Sequence, residues 1–162
     1  MKQVISVLVD NEAGALNKIT GLFARRGFNI DSLAVGVTED RSVSRITMIV
    51  DTGNNAVEQI EKQLNKLINV IKVRRFDFHE IVGKELAMFK VNSTAKSRSE
   101  IKDIVDIMGA RILDLSTTTM TIEISESPDK INLFEDMLRS YGIKEVVRTG
   151  IIALQLGNNS IG

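Results

Sequence analysis

The chain has 162 residues, 43% hydrophobic and 26% charged, with 21 Lys plus Arg balanced by 21 Asp plus Glu. That composition suits a globular protein of one medium domain or two small ones, and zero formal charge supplies no field toward phosphate backbones or anionic membranes, so neither nucleic acid nor membrane is expected as a partner. No Cys is present and His79 is the lone histidine, which removes disulfides and thiolate chemistry, leaves one candidate for a His-based metal site or a Ser/His triad, and fits a reducing, cytoplasmic location.

Val4 to Val9 is a β-branched apolar run ending at Asp10-Asn11, too short for a signal-peptide core or a membrane span and predicted as a buried strand. Leu16, Ile19, Leu22 and Phe23 then recur at helical spacing, and Gly27 after Arg25-Arg26 suits a left-handed helix end. Ile30 to Thr38 and Ser44 to Asp51 form two strands of a hairpin around the polar Glu39-Asp40-Arg41. Asn55 with Glu58 resembles a capping pair, and Val57, Ile60, Leu64 and Leu67 mark a second helix. Val70 to Phe76 closes a βαββαβ unit.

After a joint at Asp77 to Lys84 the order starts again. Glu85 to Asn92 is a strand, Ser97 and Glu100 make a capping box before Ile101, Ile104, Val105 and Met108, and Gly109 ends that helix. Ile112 to Leu115 and Thr118 to Ser125 give a strand pair, and Ser127 with Pro128 starts a helix through Leu138, followed by Gly142. Lys144 to Leu156, interrupted by Gly150, supplies the last strand, and Gly157 to Gly162 is expected to fray. The fold class is therefore α+β: two tandem ferredoxin-like βαββαβ sandwiches, over residues 1–77 and 84–158.

Domains of about 75 residues bury only about 60% of their unfolded surface and need a neighbour. Ile5, Val7 and Val9 oppose Val4 and Leu8 across the first strand, and Leu86 and Met88 oppose Ala87, Phe89 and Val91 in the second half. Both faces of each sheet are expected to be buried, and an apolar face left open by the helices predicts at least a homodimer through the N-terminal half.

The segment Asn11-Glu12-Ala13-Gly14-Ala15-Leu16 joins the first strand to the first helix, where free N–H groups and the positive helix end converge on a place for a carboxylate. Gly14 lets a ligand approach the backbone, with Asn11 beside it for hydrogen bonding. Asn and Gly are also common turn residues, so spacing alone does not make a site. The loop lacks the second glycine and Lys-Ser/Thr of a phosphate loop.

Several segments together resemble one family. ISVLVDNEAGALNKITGLFARRGFNIDSL (Ile5 to Leu33) is similar to the opening of the small regulatory subunits of acetolactate synthase, which are ACT-domain proteins. QIEKQLNKLINVIKV (Gln59 to Val73) resembles that family's second helix and fourth strand, and ELAMFKV (Glu85 to Val91) the start of its second domain. Ala13 stands where many ACT domains carry Pro or Ser.

The resemblance implies a regulatory subunit and not a catalyst. Its expected partner is the large catalytic subunit, which would carry thiamine diphosphate, Mg and FAD, while this chain has no cofactor of its own. It would raise that subunit's activity and confer feedback inhibition by valine or another branched-chain amino acid. The family's ACT domains pair edge to edge, with the effector between the strand-to-helix loop of one copy and the second strand of the other. Carried onto this sequence, that places Asn11, Gly14, Ala15 and Leu16 opposite Asn29 and Ile30. Amides near Gly14 and Ala15 would take the carboxylate, Asn11 and Asn29 would orient the polar end, and Leu16 with Ile30 would enclose an isopropyl group. A stand-alone amino-acid sensor acting on another partner is the alternative. An RNA-binding domain would need aromatic side chains on its central strands, whereas the seven aromatics here form no such cluster. No general acid is placed opposite Asp10 and Glu12, His79 is expected on the surface, and Met48, Met88, Met108, Met120 and Met137 are expected in the core.

Overall fold

The computed structural model describes every residue except Met1, Thr52 and Gly53, with Asn54 and Asn55 described by backbone alone. It divides into two compact units, residues 1–83 with 150–162, and residues 84–149.

The first unit is built from β1 (Lys2–Asp10), α1 (Ala15–Arg25), β2 (Ile30–Val37), β3 (Val43–Asp51), α2 (Asn54–Leu64) and β4 (Val70–Phe76). Its antiparallel sheet has the order β2-β3-β1-β4. Register explains the core: Ile5 and Val7 face Met48 and Ile46 across β1 and β3, and Val7 faces Val73 of β4. Residues opposite one another in antiparallel strands share a face, so these join Ile19, Leu22 and Phe23 of α1 and Val57, Ile60 and Leu64 of α2 in one buried cluster. The helical spacing seen in the sequence is the spacing of these buried positions. Gly27 takes the left-handed conformation expected of it, φ 67°. The proposed Asn55 cap involves a side chain outside the described residues.

The second unit repeats the order. A single 3-10 turn, Phe78–Glu80, leads into β5 (Ile81–Asn92), followed by α3 (Arg98–Met108), β6 (Arg111–Leu115), β7 (Thr119–Glu126), α4 (Pro128–Arg139) and β8 (Ile143–Arg148). The sheet order is β6-β7-β5-β8. Ala87, Phe89 and Val91 bury against Ile101 and Val105 of α3 and Ile131, Phe134 and Leu138 of α4, with Phe89 and Phe134 edge to face at 5.5 Å. The fold class is the one expected, two α+β ferredoxin-like units. Three local expectations differ. Ser97 is already helical and makes no cap of its own; the reciprocal bonds belong to Thr94, whose N–H donates to Ser97 Oγ at 2.9 Å while Ser97 N–H donates to Thr94 Oγ1 at 3.2 Å. A hydroxyl one turn upstream has taken the capping position. Leu86 and Met88 are not buried in this unit, each 37% exposed, because they share a strand face with the exposed Lys90. Among the methionines, Met48 and Met120 are core residues, whereas Met88 is not.

The last strand departs most from expectation. Residues 150–158 do not complete the second sandwich, which β8 already closes against β5. The chain returns instead to the first unit: β9 (Ile152–Gln155) pairs with β5, a strand that starts in that unit at Ile81 and runs on into the second, and Leu156 N–H donates to the Glu80 carbonyl at 2.8 Å. Ile151 and Ala153 pack with Val4, Ile49, Phe76 and Ile81 in a cluster on the sheet face turned away from the helices. The open apolar face expected of the first unit is thus covered by the chain itself. Nor does the terminus fray throughout, since Ile161 is 5% exposed.

Gly150 makes this return possible. It sits at φ +82°, and a Cβ there would lie 2.6 Å from Ser32 Oγ and 3.3 Å from the Leu33 backbone. Ser32 Oγ cannot simply rotate away, because it accepts the Ile151 N–H at 3.0 Å. Gly150→Ala is therefore expected to destabilise the protein by about 2–3 kcal/mol, combining left-handed strain with a lost hydrogen bond. Gly157→Ala, at φ +76° in open space, should cost only the strain, about 1–2 kcal/mol. Urea denaturation of the full chain measures both.

Candidate functional site

The β1–α1 loop is held from two sides. Asn11 N–H donates to the Ser42 carbonyl at 2.7 Å, its Nδ2 donates to the Arg41 carbonyl at 2.9 Å, and its Oδ1 accepts from Ser44 Oγ at 3.1 Å. The β2–β3 hairpin thereby fixes the first residue of the loop. On the other side stands Asn69, buried between α2 and β4. Its carbonyl accepts the Asp10 N–H at 2.8 Å, its Nδ2 donates to Glu12 Oε2 at 3.2 Å, and its Oδ1 accepts from Lys18 Nζ at 2.6 Å. Sequence reasoning passed over Asn69, since an Asn in a helix-to-strand turn carries no signal of what it will touch in space.

Gly14 is the residue before α1 and sits at φ 86°, with no side-chain cap at the helix start and no acidic residue in the first turn. A Cβ at Gly14 would meet nothing within 4 Å, so the approach to the helix end is open. The amide expected of Ala15 is not available, because Ala15 N–H donates to the Glu12 carbonyl at 3.2 Å; Ala15 is a buried wall instead. The N–H groups of Leu16 and Asn17 have no partner among the described residues and point from the positive end of the helix. Leu16 is 39% exposed beside them.

Asn29 and Ile30 lie elsewhere. Ile30 pairs with Val50, whereas the Asn11 end of the sheet is marked by the Val37–Ser44 and Asp10–Val43 pairs. Seven residues of extended strand separate these ends, about 23 Å. Within one copy the six candidate residues form two half-sites at opposite ends of β2. Asn29 Nδ2 donates to Asp31 Oδ1 at 2.8 Å, which leaves its own carbonyl oxygen unused. Lys2 pairs with Asp31 at 2.9 Å, and that bond first, helped by Asn29, holds the Asp31 carboxyl below the usual carboxylate range. The half-site at Asn29 thus carries a carboxylate paired with Lys2. β2 is an outer strand of the sheet, with Val35 47% and Val37 60% exposed.

His79 is exposed in the 3-10 turn, and among the described residues no group of three or more His, Cys, Asp or Glu side chains is placed to hold a metal ion. Among the described residues no helix is long and apolar enough to cross a membrane.

Residues 5–72 match the family model of the ACT domain of small subunits of acetolactate synthase (acetohydroxyacid synthase), and residues 84–157 match that of the small subunit of acetolactate synthase. A probable acetolactate synthase small subunit of Archaeoglobus fulgidus is 46% identical over 158 residues, covering 98% of this chain and 99% of the relative. The acetolactate synthase small subunit of Bacillus subtilis is 44% identical over 158 residues, covering 97% and 92%. The crystal structure of an acetolactate synthase small subunit from Thermotoga maritima superposes with a TM-score of 0.90 at 37% identity, covering 98% and 99% of the two chains. Sequence along both units and the fold of the whole agree: the chain belongs to the family of acetolactate synthase small subunits, the non-catalytic subunits of that enzyme.

Proposed function

We propose that this protein is the regulatory subunit of acetolactate synthase in branched-chain amino-acid biosynthesis. It acts in the cytoplasm on the large catalytic subunit, raises its activity, and transmits feedback inhibition by valine or a related branched-chain amino acid bound between two copies of the first unit. It contributes no cofactor; thiamine diphosphate, Mg and FAD belong to the catalytic partner.

The observation that carries the effector reading is the division of the candidate residues between opposite ends of an outer strand. An antiparallel pairing of β2 with β2 of a second copy sets the Asn29 end of one beside the Asn11 end of the other, and a two-fold axis generates two such sites. The Leu16 and Asn17 amides and the helix dipole then take the ligand carboxylate, with Gly14 leaving room for it. Asn11, already anchored, has a second amide N–H to donate. From the other copy, the free Asn29 carbonyl and the Asp31 carboxylate accept the ammonium, while Leu16 and Ile30 flank the isopropyl group. A ligand divided in this way binds the pair and not the separate copies, so it tightens the pairing. A catalytic subunit that distinguishes the tightened pair from the loose one responds to valine without touching it.

Gly14→Asp places a carboxylate where the ligand's must lie. Calorimetry should show valine affinity falling at least about tenfold with the fold retained, since Asp tolerates a left-handed backbone better than most residues. Unchanged affinity in the folded variant would refute the site. Asn69→Ala removes the brace behind the loop, so stability should drop by about 1–2 kcal/mol, and hydrogen exchange should quicken between residues 10 and 18. At a valine concentration a hundredfold above its Kd, one site contributes about 2.7 kcal/mol to the paired state. Sedimentation equilibrium should then show tighter self-association with valine, and loss of that effect in Asn29→Ala; equal association with and without valine in the unaltered protein rules the mechanism out.

A further inference from the structure

The first unit carries a second feature that the effector reading does not use. On the sheet face turned from the helices, Arg45 stands opposite Leu8, Leu8 opposite Lys72, and Ser6 opposite Arg74. Opposed residues share a face, so three cations lie together there, and none of them makes an ion pair among the described residues. Arg45 and Lys72 are both partly buried, and Arg45 is the one whose side chain is fixed by hydrogen bonds. Its Nε donates to Ser6 Oγ at 2.9 Å and its Nη2 to the Ala153 carbonyl at 2.8 Å. Both acceptors are neutral. A guanidinium has five donors, so three remain, and burial alone, with no compensating carboxylate, holds its pKa below the usual arginine value. A partly desolvated cation without a counter-charge is costly.

Arg45 lines a groove of about 810 Å³ whose other walls include Leu8, Val37 and Ile71 from the sheet and Leu154 and Ile161 from the returning C-terminal segment. That volume falls in the range of small-molecule sites. Glu39 and Asp40 also line it; Asp40 accepts from Ser42 N–H at 2.9 Å and Ser42 Oγ at 2.6 Å, and neither carboxylate makes an ion pair with Arg45 among the described residues.

We propose that this groove is a binding site for a small organic monoanion with an apolar chain, its carboxylate on Arg45 and its chain along Leu8, Ile71 and Leu154. Seven of the sixteen lining residues belong to residues 154–162, so occupancy also ties the C-terminal segment down. The site is separate from the Gly14 loop and stands or falls independently of the effector reading.

Hexanoate is the probe, with hexan-1-ol and hexylammonium as controls, titrated calorimetrically into the full chain. Saturable binding of hexanoate alone is expected. Arg45→Gln should weaken it at least about tenfold, the loss of a charge-assisted contact. Ile71 is 53% exposed, so Ile71→Asp should preserve the fold while setting a like charge in the groove and weakening hexanoate similarly. Hexanoate should also slow hydrogen exchange at the Ile151 and Leu156 amides, which bond to Ser32 and Glu80. The proposal is overturned if hexanol binds as well as hexanoate, if hexanoate does not bind, or if Ile71→Asp leaves its affinity unchanged. Should Arg45→Gln fail to fold, the Ile71 variant and the exchange measurement decide.

Discussion

A small sheet with helices on one side must do something with its other side, and that constraint shapes this protein from end to end. Val4, Ile49 and Phe76 form an apolar strip that α1 and α2 cannot reach, and it is closed by Ile151 and Ala153 from beyond the second unit. The closure depends on polar detail as well as apolar area. Arg45 clasps the Ala153 carbonyl, Ser32 holds the Ile151 amide, and Gly150 alone permits the backbone to come so close. A face closed in cis is not available for association, whereas the outer strand β2 leaves Val35 and Val37 in solvent. The same closure converts Arg45 from a strand residue that would face water into a partly buried cation lining a groove.

Most of the architecture was legible because periodicity and caps are local. Ile19, Leu22 and Phe23 had to share a helical face, Val70 to Phe76 had to be a strand, and Gly109 and Gly142 adopt the left-handed turns their positions suggested. What was not legible is non-local. Nothing in Ile151-Ile152-Ala153-Leu154 states that a strand pairing with β5 will pack its side chains against the first unit; loop length and a glycine leave that open. The capping box at Ser97 and Glu100 failed because Thr94 competes for the same helix start, a contest that pattern matching does not weigh. Asn69 was invisible for the same reason as Arg45: each owes its role to residues far away in the chain.

The candidate site was legible in its parts and not in its arrangement. Gly14 and Asn11 advertise an open helix end, and Asn29-Ile30 a strand start, but their separation along β2 appears only when strand register is known. The expected Ala15 amide is taken by the Glu12 carbonyl, and the amides without a partner among the described residues are those of Leu16 and Asn17, one and two residues further along the same turn.

The two units share a topology and differ at the place where a carboxylate could bind. In the first, α1 begins after a glycine with no cap and no acidic side chain in its first turn. In the second, the matching turn after β5 has no glycine. Thr94 and Ser97 satisfy each other, Arg98 N–H is taken by the Thr94 carbonyl, and Glu100 already supplies a carboxylate to the first turn of α3. The Arg98 guanidinium reaches the Thr117 carbonyl at 3.2 Å and lies across that turn. A free carboxylate approaching α3 would find the helix dipole already complemented by Glu100, a charge that the first turn of α1 lacks. One βαββαβ frame therefore carries an open helix end in the first unit and a closed one in the second, and the amino-acid reading applies to the first alone.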